Sequence, residues 1–143
     1  MARIKIDLPE SYLFTITIKV RITDINYGGH LGNDRILVYM QEARTALVHY
    51  LGFKDEVNID GSIGLIMADA GIQYKSESFY GDQLQVNVAA TNFSKYGFDL
   101  VYHLFNEQLK QEVALAKTGM VCFDYDQKKI ASIPDKLKQA LTS

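Results

Sequence analysis

From Phe14 the chain alternates. Phe14, Ile16, Ile18, Val20 and Ile22 are apolar, and Thr15, Thr17, Lys19 and Arg21 between them are polar. A period of two predicts a half-buried strand. The alternation stops at residues 24–32, where Gly28, Gly29 and Gly32 permit backbone angles that other residues resist. From Asn33 the period lengthens: Ile36, Leu37, Met40, Ala43, Leu47, Val48 and Leu51 fall on one side of a helix of about five turns at 3.6 residues each. Gly32 or Asn33 is placed to cap it, Asp34 in its first turn suits the helix dipole, and Gly52 ends it.

Residues 54–63 are polar and read as a loop. The apolar pattern of 64–74 is broken, and predicts a short strand followed by a second from about Ala70 to Ser76. Gly81-Asp82 turns into a strand with Leu84, Val86, Val88 and Ala90 on one face. Residues 98–106 and 113–123 are apolar on both faces, as strands in the middle of a covered sheet are. Ser132-Ile133-Pro134 opens a last short helix, with proline in its first turn and Leu137, Ala140 and Leu141 inward. The predicted order is strand, long helix, four or five antiparallel strands, terminal helix. One apolar helix and one curved sheet must bury each other, so the helix is expected along the concave face. Apolar residues left on the outer face imply a second protomer, in a homodimer or a dimer of dimers (a homotetramer).

Composition narrows the function. The 143 residues suit one domain, 1–143, with nine Tyr, seven Phe, no Trp and a net charge of −2. Interspersed charges argue against a nucleic-acid partner, which needs a basic patch. Lys128-Lys129 and Lys136/Lys138 read as a solvated end. One cysteine, Cys122, excludes an internal disulfide and a cysteine-based zinc site, and its apolar strand predicts a small core residue. The first residues lack the apolar run of a signal peptide and no segment is long enough to span a bilayer, so a cytoplasmic protein without a membrane partner is expected.

Chemistry concentrates at the strand–turn–helix junction. Asp24, Asn26, Tyr27 and His30 gather beside a glycine turn, and the free N–H groups of a helix start lie just beyond. Such a junction is suited to polarising a carbonyl. Asp24-Ile25-Asn26-Tyr27-Gly28-Gly29-His30-Leu31-Gly32-Asn33, then Tyr39, Glu42, Ala43 and Arg44, and later Tyr80-Gly81-Asp82-Gln83-Leu84 resemble the hotdog-fold acyl-CoA thioesterases of the 4-hydroxybenzoyl-CoA thioesterase-like family. The resemblance implies an α+β hotdog fold: one long central helix wrapped by a curved antiparallel sheet, plus a short C-terminal helix. It implies hydrolysis of an acyl-CoA or acyl-carrier thioester to free acid and thiol. Metal and bound cofactor are not called for, and coenzyme A enters only as part of the substrate.

One position departs from the family. The second aspartate of its Asp-x-Asp, the usual nucleophile or base, falls on Asn26, and an amide cannot take up a proton at neutral pH. The catalytic candidates are therefore Asp24, Asn26 and His30. Asn26 would hold a water while Asp24 or His30, whose unperturbed pKa is roughly 6.5, removes its proton. Tyr27, Gly32, Asn33 and Asp34 are the substrate-binding candidates, and the family's oxyanion-binding amide falls near Asn33. Each residue also has a structural reading: Asp24 tying down the turn, Asn26 in a left-handed turn position, His30 packing the turn. Asp34 and Glu42 are reserve acids, with an ion pair or solvated helix surface as the alternative for Glu42. Lys75, Lys95 and Arg44 are candidates for the coenzyme A phosphates. His49 and His103 receive no role. The rival to an enzyme is a non-catalytic acyl-CoA or acyl-carrier binding module, favoured by Asn26. The spacing required of a hotdog hydratase is not met, and neither a Gly-x-Ser-x-Gly elbow nor a phosphate loop occurs.

Overall fold

The computed structural model describes residues 2–143. Strand β1 (Phe14–Lys19) leads through a 3₁₀ turn (Ile22–Asp24) to helix α1 (Asn33–Tyr50). Strands β2 (Ile63–Tyr74), β3 (Gln83–Thr91), β4 (Gly97–Asn106) and β5 (Gln111–Asp124) follow, then a short β6 (Lys129–Ile130) and helix α2 (Asp135–Thr142). They form one antiparallel sheet in the order β1-β3-β4-β5-β2, with β6 paired to the end of β5.

The helix packs as the 3.6 period requires, but along a stripe rotated from the expected one. Ile36, Tyr39, Met40, Ala43, Leu47 and Val48 are buried and join Ile18, Leu84, Val86, Leu104 and Ala114 of the sheet in one core. Leu37, expected inward, is exposed, while Tyr39 and Arg44 are buried. The reason is polar: both side chains find buried partners, Tyr39 on Asp24 and Arg44 on Glu56 and Tyr102. A pattern that sorts by hydrophobicity alone puts such residues outside. Helix α2 closes one end of the core with Leu137 and Leu141, and Ala140 is only half-buried. Pro134 stands at its N-cap, one residue ahead of the expected first turn.

Two further expectations change. The first strand ends at Lys19, and Ile22 sits exposed in the 3₁₀ turn. The two strands expected over 64–76 are one 12-residue strand, β2. Its pairing with β5 slips between Met67 and Asp69. That bulge breaks the alternation locally without ending the strand, and Asp69 Oδ1 there accepts from the Gly119 N–H at 3.0 Å. Lys128 and Lys129 are exposed, as a solvated pair should be, and Lys129 opens β6. On the outer face of the sheet, Ile4 and Ile6 of the N-terminal segment reach Gly71, and Tyr12 stacks on His103. Among the described residues no helix is long and apolar enough to cross a membrane.

Candidate active site

The turn between β1 and α1 is held by backbone bonds at both ends. Asn26 N–H donates to His30 O (2.9 Å), Gly29 N–H to Asn26 O (3.0 Å), and Gly32 N–H to Asp24 O (3.0 Å). The connection after β2 supplies a second wall: Leu31 N–H donates to Ser78 O at 2.8 Å, and Val20 and Gly81–Asp82 exchange bonds at 2.8 and 3.0 Å. A Cβ at position 32 would lie 2.6 Å from Asp34 Oδ1, so a larger residue there would turn that exposed side chain aside.

Asp24 is the most enclosed of the three catalytic candidates, at 8% exposure. Its Oδ2 accepts the Tyr39 hydroxyl at 2.6 Å, and the guanidinium groups of Arg21 and Arg35 stand 3.7 and 3.8 Å from its carboxylate. Burial, and then this bond to Asp24, push the Tyr39 pKa well above the ordinary phenol range. The carboxylate is thus engaged in binding the turn to the helix.

Asn26 turns its side chain onto its own loop. Oδ1 accepts the N–H groups of Gly28 (2.9 Å) and His30 (3.4 Å), an Asx-type turn rather than a left-handed residue. His30 is partly buried. Its Nδ1 lies 3.3 Å from Leu31 O, and since a carbonyl only accepts, Nδ1 carries the proton. The other nitrogen, Nε2, then holds the lone pair in the neutral ring, 3.8 Å from Glu77 Oε1.

A cleft of about 310 Å³ opens beside this turn. Of the candidates named from sequence, His30 and Asn33 line it, together with Leu31, Ile36, Tyr74 and Ser78. Lys75 is also at its rim. Asp24, Asn26 and Gly32 stand behind it in the turn, Tyr27 is fully exposed, and the Asp34 side chain is exposed at the helix start. Gly32 is the N-cap of α1, and no side chain caps the first turn. The leading N–H groups, those of Asn33 and Asp34, therefore lack a capping partner, and the positive end of the helix faces this region. Tyr74 hydroxyl donates to Asn33 O at 3.0 Å, tying β2 to the helix start.

Two reserve assignments resolve differently. Glu42 makes an ion pair with Arg21 at 3.0 Å. Arg44 is withdrawn from any phosphate: it is 7% exposed, donating from Nε to Glu56 at 2.8 Å and from a terminal nitrogen to the Tyr102 hydroxyl at 3.2 Å. Burial alone would lower its pKa, but Tyr102 and Glu56 more than reverse that. Lys95 lies over the Tyr96 ring, apart from the cleft. Sequence reasoning missed Tyr74, Glu77 and Ser78. They arrive from the end of β2 and the connection after it, more than forty residues downstream, and nothing in their spacing announces that the Leu31–Ser78 bond brings them to the turn.

A long helix laid on one antiparallel sheet, its N-terminus opening beside a glycine turn, defines the hotdog fold. Residues 20–141 match the family model described as the thioesterase-like superfamily, and the chain belongs to that family. A 1,4-dihydroxy-2-naphthoyl-CoA hydrolase of Synechococcus elongatus is 26% identical over 124 residues, covering 85% of this chain and 90% of the relative. The crystal structure of a 1,4-dihydroxy-2-naphthoyl-CoA thioesterase from Synechocystis superposes with a TM-score of 0.82 at 25% identity, over 90% of this chain and 94% of that one. A Staphylococcus aureus DHNA-CoA thioesterase shares the fold, with a TM-score of 0.77 at 19% identity over 88% of this chain and 86% of that one.

Proposed function

We propose that the protein is a thioester hydrolase that cleaves an acyl-CoA to free acid and coenzyme A. The observation that carries this reading is the uncapped first turn of α1 at the edge of a cleft that also holds His30. The volume, about 310 Å³, is at the small end of ligand clefts, which run roughly 300–1,000 Å³. It suits the acyl part, with the coenzyme A arm lying outside near Lys75. The names of the relatives favour an aromatic acyl group.

In this mechanism the thioester carbonyl lies against the N–H groups of Asn33 and Asp34, which stabilise the negative charge as it develops. His30 Nε2 removes a proton from water, and the resulting hydroxide adds to the carbonyl carbon. Glu77 stabilises the imidazolium so formed. The tetrahedral intermediate collapses, the C–S bond breaks, and the thiolate takes the proton back from His30. Asn26 keeps its oxygen on the turn that carries His30. Asp24 anchors the turn. A second protomer is expected along the outer edge of β2, a long edge strand with Met67 and Ala68 exposed, and size-exclusion chromatography tests it.

The experiment is thiol release from short, long and aromatic acyl-CoAs. His30→Ala is expected to lower kcat by roughly 10²–10⁴, the usual weight of a general base. Absence of turnover across the panel refutes the hydrolase. The binding-module reading rests on Asn26, whose oxygen is committed to two backbone N–H groups. It predicts that Asn26→Asp creates activity where the native protein has none, whereas Asn26→Ala abolishes activity if the amide is part of a working site.

A further inference from the structure

Two serines lie two residues apart on the connection after β2, and their hydroxyls fare differently. Ser76 is half-buried, and its Oγ donates to Glu112 O at 2.6 Å. Ser78 is 2% exposed, and among the described residues its hydroxyl is the one buried side-chain polar atom without a hydrogen-bond partner. A hydroxyl stripped of water and left unbonded destabilises the fold, and an alanine there would serve folding better. Ser78 is not loosely placed either. Its carbonyl accepts the Leu31 N–H at 2.8 Å, pinning it to the site turn, and it lines the same cleft as His30 and Asn33. Leu31, Ile36 and Val113 give the cleft apolar walls beside its polar residues.

We propose that the Ser78 hydroxyl determines specificity by hydrogen-bonding an oxygen or nitrogen carried on the acyl group itself, so that the cleft selects polar-substituted acyl groups over their plain counterparts. The proposal rests on the acyl-CoA reading of the cleft. An acyl group without such an atom leaves the hydroxyl orphaned in the complex as well, whereas one with it satisfies both partners. A buried hydrogen-bonding group that only the substituted substrate satisfies discriminates between the two for this reason.

Matched pairs test it: benzoyl-CoA against its 2-, 3- and 4-hydroxy derivatives, and butyryl-CoA against 3-hydroxybutyryl-CoA, with wild type and Ser78→Ala. Wild type is expected to favour at least one hydroxylated member by about tenfold in kcat/KM, the size of one buried hydrogen bond. In Ser78→Ala that ratio falls to near one, and the Tm is unchanged or higher. No preference in wild type, a ratio that survives Ser78→Ala, or a Tm lowered by several degrees each overturns the proposal; the last would mean that the hydroxyl has a structural partner. Thermal shifts with the free acids, benzoate and the hydroxybenzoates, separate the two readings without turnover. Hydroxyl-dependent stabilisation that vanishes in Ser78→Ala, in a protein that cleaves no thioester, sinks the hydrolase and keeps the role of Ser78. Hydrolysis without any preference does the reverse.

Discussion

Replacing Tyr39 by Phe removes one oxygen and asks what Asp24 is for. The Tyr39 hydroxyl is fully buried and meets a carboxylate that is itself 8% exposed, at 2.6 Å. A hydrogen bond to a charged group contributes roughly 1.5–3 kcal/mol. The other partners of Asp24 are weaker: Arg21 and Arg35 stand at 3.7 and 3.8 Å, with side chains 49% and 42% exposed. Water screens such pairs, and each is worth about 0–1 kcal/mol. Tyr39→Phe should therefore cost about 1.5–3 kcal/mol and lower Tm by roughly 5–12 °C in a chain of this size. Asp24→Asn is the complement, since it keeps an acceptor for the Tyr39 hydroxyl but abolishes proton uptake. If Asp24 anchors the turn, Asp24→Asn loses less than about tenfold in kcat, assayed well below its Tm. A base is worth roughly 10²–10⁴. A loss of that size in Asp24→Asn, with the Tm of Tyr39→Phe unchanged, would refute the anchoring role and return Asp24 to the chemistry.

Gly97→Ala would drive its new methyl into the Met120 carbonyl of β5. The obstacle is backbone, so the cost should sit near the top of the roughly 1–3 kcal/mol overpacking range, read by urea unfolding; an unchanged midpoint refutes it. Burial pushes the Cys122 thiol up to about 11. At pH 8 roughly one thiol in a thousand is ionised, so iodoacetamide should modify it only after denaturation, and rapid native labelling would contradict this. The hydrogen bond from Lys117 holds the Asp69 carboxyl below the usual range. Between its folded and unfolded pKa values the unfolded chain binds more protons, so this stabilisation is present above about pH 4 and is lost as pH falls through the folded value. Asp69→Asn should flatten the acid limb of stability against pH, and an identical limb would count against the pair.

How much of this was legible from the chain alone depends on the distance over which each feature is specified. Periodicity is local. The alternation from Phe14 and the 3.6 period from Ile36 were enough for the strand, the long helix and their glycine junction, because each element must turn an apolar face to a core. The junction residues Asp24, Asn26 and His30 were visible for the same reason. What periodicity could not rank was a buried polar residue. Tyr39 and Arg44 enter the core only because Asp24, Glu56 and Tyr102 come from elsewhere to satisfy them. The β2 bulge was likewise hidden, since one extra residue mimics the end of a strand until its partner β5 is in place.

The chain by itself determined that a helix would begin just past Gly32, with unsatisfied amides beside a polar turn. Which side chains face those amides was decided by tertiary structure. The Leu31–Ser78 bond carries Glu77 to His30 and Ser78 to the cleft, while Tyr39 and two arginines draw Asp24 out of it. Local sequence sets backbone geometry over a few residues. The identity of a site's walls depends on contacts tens of residues apart, and these exist only once the sheet has closed over the helix.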